Sequence, residues 1–431
     1  MCPSWYPFVK NSATPPFYTK NYSTCSQIHP VPFLSTNNRF IFFRHSTPTV
    51  LFVAFFWMMI IEPNLCLASP DTTRPEPRKS LRNLMNPDSL SAINFSVIPI
   101  PIVASSPETG VRFGISLDYF FNAKDKSAKD KNEARASFVY GIITYSTRGQ
   151  LDLSGVWQVF TKGEKYVLRG RAGYSSFFER VWGIGMNTVL ENDFWELRYQ
   201  RTFAENRIYR QWKNNWYGGI SVNFNRTFEV RYSKPLSPEF NYTDGVNGST
   251  VLGVGPALLH DSRDFPFSAR KGTYLETLYQ TYLPVSSTPY VYQEWILDFR
   301  KFRPIGKENS FGYQFFTHNT FGNVPLRELP RVGNASILRG FFGGRYRNKS
   351  LMAAQSEYRF QIWKWVHASL FTAGGFSASA IGDYHLPDFL WTGGAGLRFL
   401  VNKKNRMFVR MDYARNSTFG GAFYLRLNDA F

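Results

Sequence analysis

Cysteine is nearly absent from this 431-residue chain: Cys2, Cys25 and Cys66 are the only three, and none follows Ser69. A disulfide framework and a thiolate metal site are thereby excluded from everything downstream. The six histidines are scattered without ligand spacing, so no metal is expected. A G-x-S-x-G elbow is missing as well. His260, Asp261 and Ser262 bring the residue types of a catalytic triad together, but adjacent strand residues point to opposite faces and cannot form one site. No catalytic residue and no cofactor are expected. The formal charge of +19 comes without a recognition helix or an RNP-like segment, which argues against nucleic acid as a partner. Basic residues fall instead on alternate strand positions and in turns such as 402–405, where anionic lipid head groups or attracted anions suit them better.

Long apolar runs are also lacking. The only continuous one, VLFVAFFWMMII at 50–61, is too short to cross a bilayer as a helix. It follows Arg39 and Arg44, and Cys66 and Ala68 supply small residues before Ser69. Residues 1–68 therefore read as a leader with a signal peptide whose apolar region is 50–61. A lipid anchor on Cys66 is the rival reading, opposed by the bulk of Leu65. Residues 1–38 are longer than a normal n-region, as a start codon assigned too far upstream would make them, and receive no function. The Pro-, Arg- and Ser-rich stretch 69–93 reads as a periplasmic linker.

What the chain has in abundance, over 94–431, is period-2 alternation. Val291, Trp295, Leu297 and Phe299 oppose Glu294, Asp298 and Arg300; Met352, Ala354, Tyr358 and Phe360 oppose Gln355, Glu357 and Arg359. Trp195, Leu197, Tyr199 and Phe203 likewise oppose Glu196, Arg198 and Gln200, which predicts the aromatic set on the lipid side. So many ionised groups cannot all face a dry core, whereas a wet lumen accepts them. Mean hydropathy of −0.29 fits strands that show lipid only every second residue. Aromatic content of 18% fits girdles at the two interfaces.

The predicted fold is all-β, a transmembrane antiparallel β-barrel of about 16 strands in the outer membrane, running from 94–104 and 108–121 to 406–415 and 420–431. A weak segment at 178–188 is dropped to keep the count even. The longest connections, 176–192, 233–249, 323–349 and 379–390, then fall outside, and short ones such as 363–365 fall inside. Two inside turns, 122–132 and 264–271, are longer than this asymmetry allows. The chain closes on Phe423, Leu425, Leu427 and Phe431, which alternation places together on the lipid face.

At ILRGFFGGRYRNKSLMAAQSEYRF (337–360) the chain resembles the BamA/TamA-type outer-membrane surface-antigen barrel family. So do LLHDSRDFPFSARKGTYLE (258–276) and the closing segments GLRF, MDYA and FYLRLNDAF. The resemblance implies a long loop folded into the lumen with Leu338, Arg339, Gly340 and Phe341 at its tip, and Glu357 and Arg359 on the facing wall. It implies a periplasmic turn built on Asp261, Arg263, Asp264 and Pro266, and an assembly signal in Phe423, Leu425, Leu427 and Phe431 read by the barrel-assembly machinery. A role in outer-membrane protein assembly or translocation follows by the same resemblance. The alternative is a passive channel with a basic lumen. Stretch 69–93 is too short for the periplasmic POTRA modules of better-known members, which suggests a separate periplasmic partner. Ala373 stands where the family usually carries an Asp as partner for the loop Arg, so Glu357 is expected to hold Arg339 alone. In a wet lumen that pair would be worth about 1 kcal/mol.

Overall fold

The computed structural model describes residues 98–121, 137–186, 193–285, 289–403, 405–418 and 420–431. The leader, the linker and the turn at 122–132 lie outside these. Sixteen strands form one closed barrel. They are β1 (Ile98–Ser106), β2 (Gly110–Phe121), β3 (Ser137–Ser146), β4 (Leu151–Phe160), β5 (Tyr166–Val181), β6 (Trp195–Lys213), β7 (Trp216–Tyr232) and β8 (Ser249–Asp261). They continue with β9 (Gly272–Pro284), β10 (Tyr292–Ile305), β11 (Asn309–Gly322), β12 (Ser350–Gln361), β13 (Val366–Ala378), β14 (Leu390–Asn402), β15 (Met407–Asn416) and β16 (Gly421–Leu427). Every neighbour is antiparallel, and β1 returns to β16. No described helix is long and apolar enough to cross a membrane, as expected where strands do the crossing.

The weak segment at 178–188 is not a strand of its own. Its first residues prolong β5 to Val181, where Val181 pairs with Trp195. Strands β5, β6 and β7 are 16, 19 and 17 residues long, more than a bilayer needs. That excess explains an inverted face assignment on β6. Trp195, Leu197 and Tyr199 point inward, buried with Phe240, Val324, Leu326 and Leu329 in an apolar cap under the outer loops. Phe203 is buried as well, while Arg198 lies exposed. Beyond the hydrocarbon the outside is water, so the rule that apolar side chains point outward no longer applies there.

Within the hydrocarbon band the alternation holds. On β13, Leu370 is 56% exposed while its neighbour Phe371 is buried. Leu370 stands five residues above Trp365, an exposed aromatic of the periplasmic girdle, which puts it about 16 Å along the strand. Leu370→Arg should therefore cost about 2 to 4 kcal/mol of barrel stability, whereas the same change at exposed Trp363 should cost about 1 or less. Urea titration in vesicles, followed by tryptophan emission, measures both.

The long inside turn after β8 has a structural reason. Asp264 accepts main-chain N–H bonds from Phe265, Arg270 and Lys271 at 3.0, 3.0 and 3.2 Å, which folds residues 264–271 back on themselves. The folded turn lies across the periplasmic mouth, with Phe267 against Phe120 and Phe138 and Ala269 packed with Phe302, Ala430 and Phe431.

Candidate functional site

The connection 323–349 enters the lumen and crosses it. Leu338 and Gly340 flank the tip with φ of +50° and +108°, and a Cβ on Gly340 would come within 3.1 Å of the Thr392 hydroxyl. Glycine is therefore favoured at 340 by its backbone angle, and an added Cβ would also press on Thr392. This double reversal aims Arg339 sideways at the wall. Main-chain groups fix the tip: Gly340 N–H donates to the Tyr424 hydroxyl at 3.0 Å, Asn416 Nδ2 donates to the Gly340 carbonyl at 2.8 Å, and the Thr392 hydroxyl donates to the Arg339 carbonyl.

Arg339 divides its guanidinium between Glu357 Oε2 on β12 and Asp412 Oδ2 on β15, each at 2.7 Å. Its Cζ lies 3.4 Å from the centre of the Phe371 ring. The three charged side chains are 1%, 0% and 0% exposed, so the cluster is covered from bulk solvent. Arg410 donates to Asp412 at 2.8 Å and to the Ala335 carbonyl at 2.9 Å. Arg359 and Arg398 both reach Glu357 Oε1, Arg359 at 2.7 Å, and both also hold Asp429. The result is a buried lattice of four guanidiniums and three carboxylates in which every carboxylate is shared.

Expectation and structure differ at Ala373. Its surroundings are Ile337, Leu338, Phe341, Ala353 and Leu390, an apolar cluster that seats the loop tip. The second carboxylate for Arg339 comes instead from Asp412, two strands away. Sequence reasoning gave Asp412 no part in holding the loop. Arg359 braces Glu357 through Oε1, the oxygen opposite the one Arg339 holds, and donates to the Ala269 and Phe431 carbonyls at 3.1 and 3.0 Å.

A second anchor has no counterpart in the sequence reading. Glu179 on β5 receives Arg327, Arg331 and Arg347 from the loop, the last two at 3.1 and 3.4 Å. Arg327 also stacks over Tyr199 at 3.9 Å. Three arginines spread along the loop give no local sign that they converge on a carboxylate some 150 residues earlier. Between this anchor and the wall lies a cavity of about 560 Å³, with Arg112, Arg171, Arg201, Glu205 and Glu294 among its lining residues.

The remaining candidates divide. Asp261 and Arg263 form a bidentate pair at 2.9 and 3.0 Å, and Arg263 also donates to the Pro266 carbonyl at 3.3 Å. Asp264 organises the turn as described. Phe423 and Leu427 are exposed on the outer face and Leu425 is half-buried there. Phe431 is not with them. Asn428 takes φ of +65° just after β16, the chain leaves the wall, and Phe431 ends inside the periplasmic mouth, stacked on Phe302 at 6.0 Å and buried under Arg359. Period-2 reasoning carried Phe431 to the lipid face only because it assumed an unbroken strand. Among the described residues, no group of His, Cys, Asp and Glu is arranged to hold a metal.

No protein-family model and no curated protein matches this sequence. Solved structures do match. The chain superposes on BamA from Haemophilus ducreyi lacking POTRA domains 1–3 with a TM-score of 0.50 at 11% identity, over 77% of this chain and 70% of that one. CdiB from Escherichia coli aligns with a TM-score of 0.53 at 10% identity, over 78% of this chain and 63% of that one. The similarity is one of fold, and the present chain spans less than two thirds of CdiB. Closed antiparallel topology, an apolar outer band, charged inner faces and these two neighbours agree: the chain is an outer-membrane β-barrel with the barrel fold of BamA and CdiB.

Proposed function

We propose that this barrel acts in outer-membrane protein assembly or translocation, the role implied by its resemblance to the BamA/TamA type, and not as an open pore. The observation that carries this reading is the loop 323–349, which crosses the lumen from Glu179 on β5 to Asp412 on β15 and is tied down at both ends by buried ion pairs. A lumen crossed in this way conducts solutes poorly. The weak line lies in the wall: β1 and β16 share a single register pair, Ser105 with Leu425, where β15 and β16 share seven. Membrane lipid, the barrel-assembly machinery during biogenesis and a separate periplasmic partner are the partners of this reading. Catalysis has no place in it.

Planar-bilayer recording tests the reading against its rival. The intact barrel should show small, flickering conductance, and deleting 333–347 should raise it several-fold. Large, steady conductance in the intact protein would favour a passive channel with a basic lumen. Depleting the protein in cells should lower the level of particular outer-membrane proteins, and an unchanged outer-membrane proteome would remove the assembly role.

A further inference from the structure

Strand β1 reads IPIPIVASS, with prolines at 99 and 101. Proline is rare inside a sheet because it has no N–H to give to the ladder, and its spacing of two residues here is informative. Successive residues of a strand direct their main-chain groups to alternate neighbours. Val111 on β2 bonds to Thr147 on the β3 side, so the odd residues of β2 face β3 and the even ones face β1. Their partners on β1 are Ile98, Ile100, Ile102, Ala104 and Ser106. Pro99 and Pro101, with Val103 and Ser105, therefore direct their main chain away from β2, toward β16. At Ser105 that direction meets Leu425. Continued by the same register, Pro101 and Pro99 would meet Asp429 and Phe431, but these have turned into the lumen after Asn428. Strand β16 stops where the prolines begin.

We propose that this periplasmic half of the seam is a standing slot in the wall that admits a phospholipid acyl chain. An added peptide strand needs alternating donors and acceptors along the edge it joins. Along this stretch β1 offers the carbonyls of Pro99 and Pro101 and no N–H, so strand addition is blocked. The prolines also remove two donors that hydrocarbon could not satisfy. The surroundings are those an acyl chain requires. Outside, Ile115 and Leu117, the β2 partners of Pro101 and Pro99, are 45% and 52% exposed, which sets the slot at hydrocarbon depth. Inside, Ile100 and Ile102 replace the charged residues found on the inner faces of other strands, and Phe120, Phe138 and Phe267 lie beyond. The nearest inward polar groups on β2, Ser116 and Asp118, are bonded to each other. This inference concerns lipid and stands whether or not the barrel handles polypeptide.

The intact barrel, reconstituted in phosphatidylethanolamine vesicles with a minor fraction of phosphatidylcholine bearing an acyl-chain diazirine, tests it. After irradiation, mass spectrometry should find label on inward-facing Ile100, Ile102 or Phe120 as well as on outward-facing Ile115 and Leu117. Label confined to the outward residues would overturn the slot. Val103→Cys with Leu427→Cys, opposite each other by the register, pins the upper seam when oxidised. Inward labelling should persist in that variant; its loss would mean that transient opening of the whole seam admits lipid, and the standing slot would fall. Ile100→p-benzoylphenylalanine, which keeps both prolines and points inward, should capture lipid on irradiation, and capture of another polypeptide with no lipid adduct would assign the edge to strand addition and overturn the proposal.

Discussion

Arg339→Ala should release the loop tip from the wall at a cost of about 3 to 5 kcal/mol, because it leaves Glu357 and Asp412 buried with fewer cations than they were arranged to meet. The wet-lumen expectation of about 1 kcal/mol belongs to exposed pairs and does not apply where all three groups are covered. Glu357→Gln should be at least as costly, since Glu357 accepts from Arg339, Arg359 and Arg398 together. A double-mutant cycle on the two should give a coupling toward the upper end of about 0.5 to 3 kcal/mol, read as protease sensitivity of residues 323–349 and as heat-modifiable gel mobility. Strict additivity would show that the tip is held by its main-chain bonds to Tyr424, Asn416 and Thr392 alone. Ala373→Asp, although it restores the family's usual residue, should destabilise, since the new carboxylate enters an apolar cluster.

Glu179→Gln should free the other end of the loop. One carboxylate there offsets Arg327, Arg331 and Arg347, and removing its charge leaves three guanidiniums to repel one another, two of them almost wholly covered. A loss of about 3 to 5 kcal/mol is expected. Thermal unfolding followed by circular dichroism should show it, with the loop cut by protease well below the temperature at which the barrel opens. Wild-type protease resistance in the variant would place the anchor in the apolar contacts of Leu326 and Leu329 instead.

Strand positions were legible in the sequence because lipid and lumen make opposite demands on neighbouring residues, so β2 and β15, expected at 108–121 and 406–415, lie at Gly110–Phe121 and Met407–Asn416. The rule stops where those demands stop. On β6 it fails at Trp195, Leu197 and Tyr199, which stand above the bilayer and answer to the outer loops. At Phe431 it fails because one residue with positive φ, Asn428, ends the strand. Of the site, Arg339, Gly340 and Glu357 were legible through the resemblance, since their segments are nearly contiguous. Asp412 and Glu179 were not, because a partner across a lumen leaves no mark on local spacing. The prolines of β1 did leave one: two residues without N–H at a spacing of two describe a strand edge that is not meant to be paired.

Glu357 has a consequence that reaches both faces of the membrane. Its Oε2 holds the loop that descends from the cell surface, and its Oε1 holds Arg359 and Arg398, whose other ends grip Asp429 at the periplasmic mouth. If Arg339 withdraws, Glu357 loses one of three countercharges and binds the remaining two more tightly, which draws them from Asp429. A pull on the surface loop should therefore be felt by the tail of the chain, and Asp429→Asn should raise the protease sensitivity of 323–349. One carboxylate makes the two mouths of the barrel answer to each other.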